Sequence, residues 1–246
     1  MIWIIGGTSE SAELVRALQG KNAFIVTVAT ETGKRFLPEC PVQVGRLDGV
    51  TMADFIARHQ IHLIVDTSHP YAFEVSENAK SAASQAGIEY IRYSRPKTDD
   101  TDAIIVKSVQ SCCDYLRSVT GVVFFTTGIN HIEQFQLVRN QNRFVYRVLP
   151  TVESVETCLR HQVPLKDIVA AVGPFSEDFN FAFFTEYKAN LVVMKNSGKQ
   201  GGTQEKLKAC KKAGITPVVI ERRSETGFTN LEAVIDTIQQ LEKGFT

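Results

Sequence analysis

Residues 2–10 read Ile2-Trp3-Ile4-Ile5-Gly6-Gly7-Thr8-Ser9-Glu10. Four apolar residues run into two glycines, two hydroxyls and an acid. A helical pattern then places Leu14, Ala17 and Leu18 on one face. A short, unbroken apolar run bounded by a glycine turn reads as a strand buried on both faces. Strand, tight turn and helix together open a parallel α/β sheet, and the alternation continues. Residues 24–29, 42–45, 62–66 and 90–93 read as strands, and 52–58 and 74–85 as helices. Crossovers in such a sheet are right-handed.

Residues 95–102 are polar, contain Pro96 and read as a connection. Beyond it, strands are predicted at 103–106, 122–125, 144–148, 168–171, 191–194 and 217–220, with helices between them and a last helix over 231–241. The expected fold class is therefore α/β: two Rossmann-like lobes with parallel sheets flanked by helices, and the active site in the cleft between them. The expected lobes are 1–97, carrying the glycine turn, and 98–246, completing the substrate site.

With 27 Lys+Arg against 27 Asp+Glu, the net charge is zero. No general affinity for nucleic acid or an anionic membrane follows from that balance. The five cysteines show no CxxC spacing, which argues against a zinc site or a disulfide framework and for reduced thiols. The first apolar run is too short for a signal-peptide core or a membrane span, so a cytoplasmic protein is expected.

The turn at Gly6, Gly7, Thr8, Ser9 and Glu10 is built like a phosphate cradle. Glycines permit a tight turn and close approach, and the free N–H groups of the helix face an anion. The match to GxGxxG is poor, since its third position is Thr8, not Gly. The turn alone leaves open an ordinary strand-to-helix connection with Ser9 as N-cap. At the end of the second strand, Thr30 stands where dinucleotide folds place an acid, and Lys34 and Arg35 follow. Hydroxyl and cations suit a 2′-phosphate and favour NADPH, while Glu31 keeps NADH open. The fourth strand ends in Asp66-Thr67-Ser68-His69-Pro70-Tyr71-Ala72. Ser68 and His69 are thereby expected at the same crevice, with Pro70 fixing the loop.

In the second lobe, residues 124–128 end a buried strand with Thr126-Thr127-Gly128. Residues 194–203 are polar and glycine-rich, and Lys195, Asn196 and Ser197 can donate to carboxylates or phosphates. Other motifs fail. Tyr93 and Lys97 have TyrxxxLys spacing, but Pro96 breaks the helix they need. His59 and His62 lack a third metal ligand, and no metal is expected.

Taken in order, GGTSE (6–10), Thr30, DTSHPYA (66–72), Arg95-Pro96, TTG (126–128), Arg147 with Pro150, GPF (173–175) and KNSGKQGGTQEK (195–206) resemble the precorrin-6A reductases of cobalamin biosynthesis, including the cobalt-precorrin-6A form. The resemblance spans nearly the whole chain. It departs at Lys97-Thr98-Asp99, where an aromatic is expected, and at Arg222-Arg223, where Arg-Pro is.

The resemblance implies hydride transfer from NADPH or NADH to a ring double bond of a tetrapyrrole, giving precorrin-6B or its cobalt form. Any cobalt would belong to the substrate. His69 and Lys195 are the expected catalytic residues. Gly6, Gly7, Thr8, Ser9, Glu10, Thr30, Lys34, Arg35, Ser68 and Pro70 are the expected cofactor contacts. Arg46, Tyr71, Thr127, Gly128, Arg147, Asn196, Ser197 and Gly198 are the expected substrate contacts. A dinucleotide-sensing module and another NAD(P)-dependent reductase or epimerase are the alternatives.

Overall fold

All four residues of β1 (Ile2–Ile5) are buried, and their alternation explains why the strand is apolar throughout. Ile2 and Ile4 enter one core with Leu14, Val15 and Leu18, while Trp3 and Ile5 enter another with Met52, Phe55, Ala79 and Ala83. Successive strand residues point to opposite faces, so a strand covered on both sides needs apolar side chains at every position. The Trp3 indole still satisfies its N–H, which donates to Thr27 Oγ1 at 2.9 Å.

The computed structural model describes residues 1–100, 102–223 and 225–244. They form two α/β units. The first comprises Met1–Arg95 and the described part of Arg223–Thr246; the second is Pro96–Arg222.

In the first unit, β1 is flanked by β2 (Phe24–Val28) and β4 (Leu63–Asp66), with β3 (Val42–Val44) and β5 (Glu89–Arg92) outside them. All four pairings are parallel, in the order β3-β2-β1-β4-β5. The order reverses between β1 and β4, so the crevice at their carboxyl ends is the ligand position of this architecture. The helices are α1 (Ser9–Leu18), α2 (Glu31–Arg35), α3 (Gly49–Arg58) and α4 (Phe73–Ala86).

The second unit holds β6 (Ile104–Val106), β7 (Val122–Phe125), β8 (Arg143–Val148), β9 (Ile168–Ala170), β10 (Leu191–Lys195) and β11 (Thr216–Ile220). They form one parallel sheet in the order β6-β11-β10-β7-β8-β9, which reverses between β7 and β10. Its helices are α5 (Val109–Leu116), α6 (Ile132–Gln136), α7 (Val152–Arg160), α8 (Glu177–Glu186) and α9 (Thr203–Ala213). Aromatics fill both faces. Phe125 stacks on Tyr146 at 4.7 Å, and Phe124 meets Phe184 edge-on at 5.3 Å.

The last helix, α10 (Leu231–Gly244), corrects the expected division at residue 97. Val234 and Ile238 are buried with Ile2, Ile4 and Leu18 of the first unit. The chain returns there after β11, where Phe228 forms a parallel bridge with Tyr93 and exchanges backbone hydrogen bonds with Arg92 and Ser94 (both 2.8 Å). An apolar stripe on a helix states that a face is buried, not which sheet buries it. Among the described residues, no helix is long and apolar enough to cross a membrane, and no group of three or more His, Cys, Asp or Glu could hold a metal ion. The cysteines are unbridged, and four of the five are buried.

Candidate functional site

In the first unit, the turns after β1 and β4 are tied together at the strand-order reversal. Thr67 N–H and Oγ1 both donate to the Ile5 carbonyl (3.0 and 2.9 Å), and Thr8 Oγ1 donates to the Thr67 carbonyl (2.8 Å). Thr8, not Ser9, is the N-cap of α1, and its hydroxyl also accepts from Ser11 N–H. Ser11 Oγ in turn accepts from the N–H groups of Gly7 and Thr8 (3.2 and 3.1 Å). The Thr8 hydroxyl, expected to face a ligand, therefore locks the two turns instead.

Gly6 and Gly7 are required for different reasons. A Cβ on Gly6 would stand 2.9 Å from Val26 Cγ1, so the side chain is excluded by packing. Gly7 is exposed at φ +103° with nothing within 4 Å of its missing Cβ. That backbone conformation is strained for any other residue, and it leaves open space beside the start of α1. A Cβ on Gly33, inside α2, would lie 3.9 Å from the Gly7 Cα, so α2 borders the same space. Thr30 caps α2 by accepting from Gly33 N–H (3.1 Å), while Lys34 and Arg35 are exposed on its last turn. Ser9 is exposed beside Gly7, and Arg46 is exposed just beyond β3. An open glycine turn flanked by a helix N-terminus and two cations fits a phosphate-bearing ligand.

Glu10 does not face that space. It is 3% exposed, and its carboxylate takes two hydrogen bonds from Arg95, at 2.5 and 2.6 Å. Burial alone pushes the Glu10 carboxyl up. The hydrogen bonds and charge of Arg95 more than reverse this and hold it below the usual carboxylate range. Arg95 was legible only as half of an Arg-Pro motif, because its partner lies 85 residues away.

Behind the β4 turn lies a second buried network, unforeseen from the sequence. Arg92 Nη1 donates to Asp66 Oδ1 (2.9 Å) and to the Ser68 carbonyl and hydroxyl (3.0 and 3.2 Å), and Nη2 pairs with Glu225 (2.9 Å). Tyr90 Oη donates to Asp66 Oδ2 at 2.8 Å. Burial and then the Asp66 charge push that phenol far up, so it stays a donor. Ser68 is thus buried and engaged by Arg92. His69 and Tyr71 are half-buried and Pro70 is buried. Tyr71 N–H donates to His69 Nδ1 (3.3 Å), so the neutral imidazole carries its proton on Nε2.

In the second unit, the loops after β7 and β10 lie at the strand-order reversal. They carry Thr127 and Gly128, and Lys195, Asn196, Ser197 and Gly198. Thr127 Oγ1 is buried with no hydrogen-bond partner among the described residues. Gly198 adopts φ +71° and begins the tight turn into α9. Burial holds the Lys195 ammonium below its ordinary value. Burial, then the charge of Lys195, lowers His131, so this unforeseen histidine shares the Lys195 environment. Its position in the loop after β7 was the available signal.

Asn196 lies in the loop after β10. Its amide holds the connecting segment, donating to the Thr98 carbonyl (2.7 Å) and Asp100 Oδ2 (2.9 Å) and accepting from Thr98 N–H (3.1 Å). Ser197 N–H donates to Thr203 Oγ1 (3.1 Å), closing the loop onto α9. Arg147, near the end of β8, donates to Asn180 Oδ1 (2.8 Å) and lies 4.6 Å from the Phe175 ring centroid.

The family model described as "Precorrin-6x reductase CbiJ/CobK" matches residues 1–239. The chain belongs to the precorrin-6x reductase family. A cobalt-precorrin-6A reductase of Priestia megaterium is 35% identical over 97% of this chain and 98% of that protein. The cobalt-precorrin-6A reductase of Salmonella typhimurium is 34% identical over 98% and 95%. A precorrin-6A reductase of Mycobacterium tuberculosis is 28% identical over 90% and 88%. The solved structure of CobK precorrin-6A reductase superposes with a TM-score of 0.81 at 22% identity, covering 97% of this chain and 96% of that one. At that identity the likeness establishes a shared fold, and this member of the precorrin-6x reductase family has the two-unit α/β architecture.

Proposed function

We propose that this chain reduces a ring double bond of cobalt-precorrin-6A to give cobalt-precorrin-6B in cobalamin biosynthesis, with NADPH as hydride donor. The observation that carries this is full-length similarity, at 34–35% identity, to two proteins named cobalt-precorrin-6A reductase. A protein named for the metal-free substrate is 28% identical, within the 26–35% range of those named for the cobalt form, so the assay below decides the metal state.

The open turn at Gly7 supports the cofactor assignment. Gly6, Gly7 and Ser9 hold the pyrophosphate, while Thr30, Lys34 and Arg35 hold the ribose end and its 2′-phosphate. Bound there, the nicotinamide supplies the hydride, and the chain contributes binding and orientation. Lys195, Thr127, Gly128, Ser197, Arg147, Arg46 and Tyr71 take the macrocycle and its acid side chains. The decisive assay follows cofactor absorbance with cobalt-precorrin-6A and with precorrin-6A, each with NADPH and NADH. Oxidation with the cobalt form, at a lower KM for NADPH, is expected. Cofactor binding without oxidation by either substrate would instead make the chain a dinucleotide sensor.

His69 donates the proton that accompanies the hydride, through Nε2. General acid catalysis contributes about 10²–10⁴-fold, so His69→Asn is expected to slow single turnover by at least about 10²-fold. An unchanged rate with an unchanged pH profile would remove His69 from that role.

A further inference from the structure

A cavity of about 790 Å³ lies within the first unit, between α4, the outer edge of β5 and the chain returning at residues 223–228. Phe73, Tyr90, Arg92, Arg223, Glu225 and Phe228 are among the residues that line it, and none of Gly6, Gly7, Ser9 or His69 does. The cavity exists because the returning chain joins β5 at one point and then parts from it. Phe228 N–H donates to the Arg92 carbonyl, and Ser94 N–H donates to the Phe228 carbonyl (both 2.8 Å). Gly227 permits that approach, since a Cβ there would stand 2.6 Å from the Arg92 carbonyl oxygen. Tyr93 N–H points the other way, to the Asp66 carbonyl of β4. Peptide groups alternate along a strand, so those of Tyr90 and Arg92 face the outer edge. Among the described residues, the Tyr90 carbonyl and the Arg92 N–H have no hydrogen-bond partner there.

The charges around the cavity are unbalanced. Arg92 is one buried cation set between two carboxylates, Asp66 and Glu225. Its Nε and Nη2 both donate to Glu225 Oε2 (3.1 and 2.9 Å). Glu225 Oε1 is buried with no hydrogen-bond partner among the described residues. Excess buried negative charge and an orphaned oxygen are costly until a cationic donor joins them. Two residues earlier, the exposed Arg223 guanidinium lies 5.0 Å from the Phe73 ring centroid and forms no ion pair among the described residues. Glu77 and Lys80, exposed and three residues apart on α4, offset one another. One acid and one base are left, with aromatic surface around them.

We propose that this cavity binds a small zwitterion: an α-amino acid, or a short peptide, with an apolar side chain. Its ammonium donates to Glu225 Oε1. Terminal carboxylate torsions are broad, so that oxygen turns to the arriving donor while Oε2 keeps Arg92. Its carboxylate pairs with Arg223, and its apolar body covers the rings of Phe73, Tyr90 and Phe228. A peptide would also continue the ladder at the Tyr90 carbonyl and the Arg92 N–H. The site stands independently of the reduction proposed above.

The test is isothermal titration calorimetry of the intact protein with L-phenylalanine, L-leucine and glycyl-L-phenylalanine, each up to about 10 mM. Phenylalanine is compared with N-acetyl-L-phenylalanine, which lacks the ammonium, and with L-phenylalaninamide, which lacks the carboxylate. Each analogue removes a charge-assisted hydrogen bond and should bind at least about tenfold more weakly. Arg223→Met keeps the contact with Phe73. It should lower the affinity for phenylalanine to that for the amide and leave the amide unchanged. Glu225→Gln keeps an oxygen for Arg92 and should abolish the preference for phenylalanine over its N-acetyl form. Where Glu225→Gln does not fold, the exposed Arg223→Met change decides the site. Tighter binding of the dipeptide than of phenylalanine assigns a peptide as occupant, and weaker binding assigns an amino acid. Three results overturn the site: no binding of any zwitterion, equal binding of phenylalanine and both analogues, or an Arg223→Met protein that still prefers phenylalanine over its amide.

Discussion

Arg92→Met is expected to prevent stable folding of the first unit at neutral pH. Arg92 is the cation between Asp66, whose side chain is wholly buried, and Glu225. It also holds the Ser68 carbonyl and hydroxyl. Removing one partner of a buried pair costs about 3–5 kcal/mol because the remaining charge is left uncompensated. Here two carboxylates are left, so the loss approaches the whole stability of a typical domain, about 5–15 kcal/mol. The expected result is insoluble protein, or soluble protein without a cooperative urea transition. Arg92→Lys keeps one charge without the planar fork and should fold with a reduced midpoint. A cooperative Arg92→Met protein within about 1 kcal/mol of wild type would show that Asp66 and Glu225 find other partners.

Arg95→Met is the second large effect, and it links the fold to the glycine turn. Glu10 lies in the first turn of α1, directly after the Gly6-to-Ser9 segment, and Arg95 takes both of its oxygens. A cost of about 3–5 kcal/mol is expected at pH 7, or a midpoint lower by roughly 6–20 °C. In the wild type, Glu10 titrates below its ordinary value. Its contribution is present above the unfolded pKa and is lost as pH falls through the folded one. In Arg95→Met burial, the largest influence, is opposed only by the Glu10 backbone and Ser9 hydrogen bonds and raises the carboxyl, so the variant gains relative stability as pH falls. The difference between the proteins should therefore shrink from pH 7 to pH 5. A constant difference would place the effect in packing, not charge. A loosened first turn should also raise the KM for NADPH in the variant more than the KM for the tetrapyrrole.

The site residues were legible to different degrees. Gly7 reads directly as an open turn, because a glycine pair after a buried strand has few other uses. Thr8 and Glu10 sit in the same motif, yet their side chains turn inward to Thr67 and Arg95. Residue type revealed their hydrogen-bonding capacity but not the partner. Asn196 reads as a donor toward a ligand, and its amide donates to the segment at Thr98 and Asp100. His131 escaped notice because it does not end a strand. Its chemistry comes from burial and from a neighbouring cation, which no local pattern records.

What the sequence determined by itself is the local and periodic part of the structure. Ile2 to Ile5 had to be a strand covered on both faces, the glycines after it had to turn, and the same alternation through Ile220 had to build parallel α/β units. Those features depend on residues within a few positions of one another, where backbone geometry and side-chain period suffice. Only the tertiary structure decided that α10 returns to the first sheet and that Arg92 and Arg95 pair with Asp66, Glu225 and Glu10. These join residues far apart in the chain, and their energies come from burial and charge pairing, which exist only once the sheets have formed.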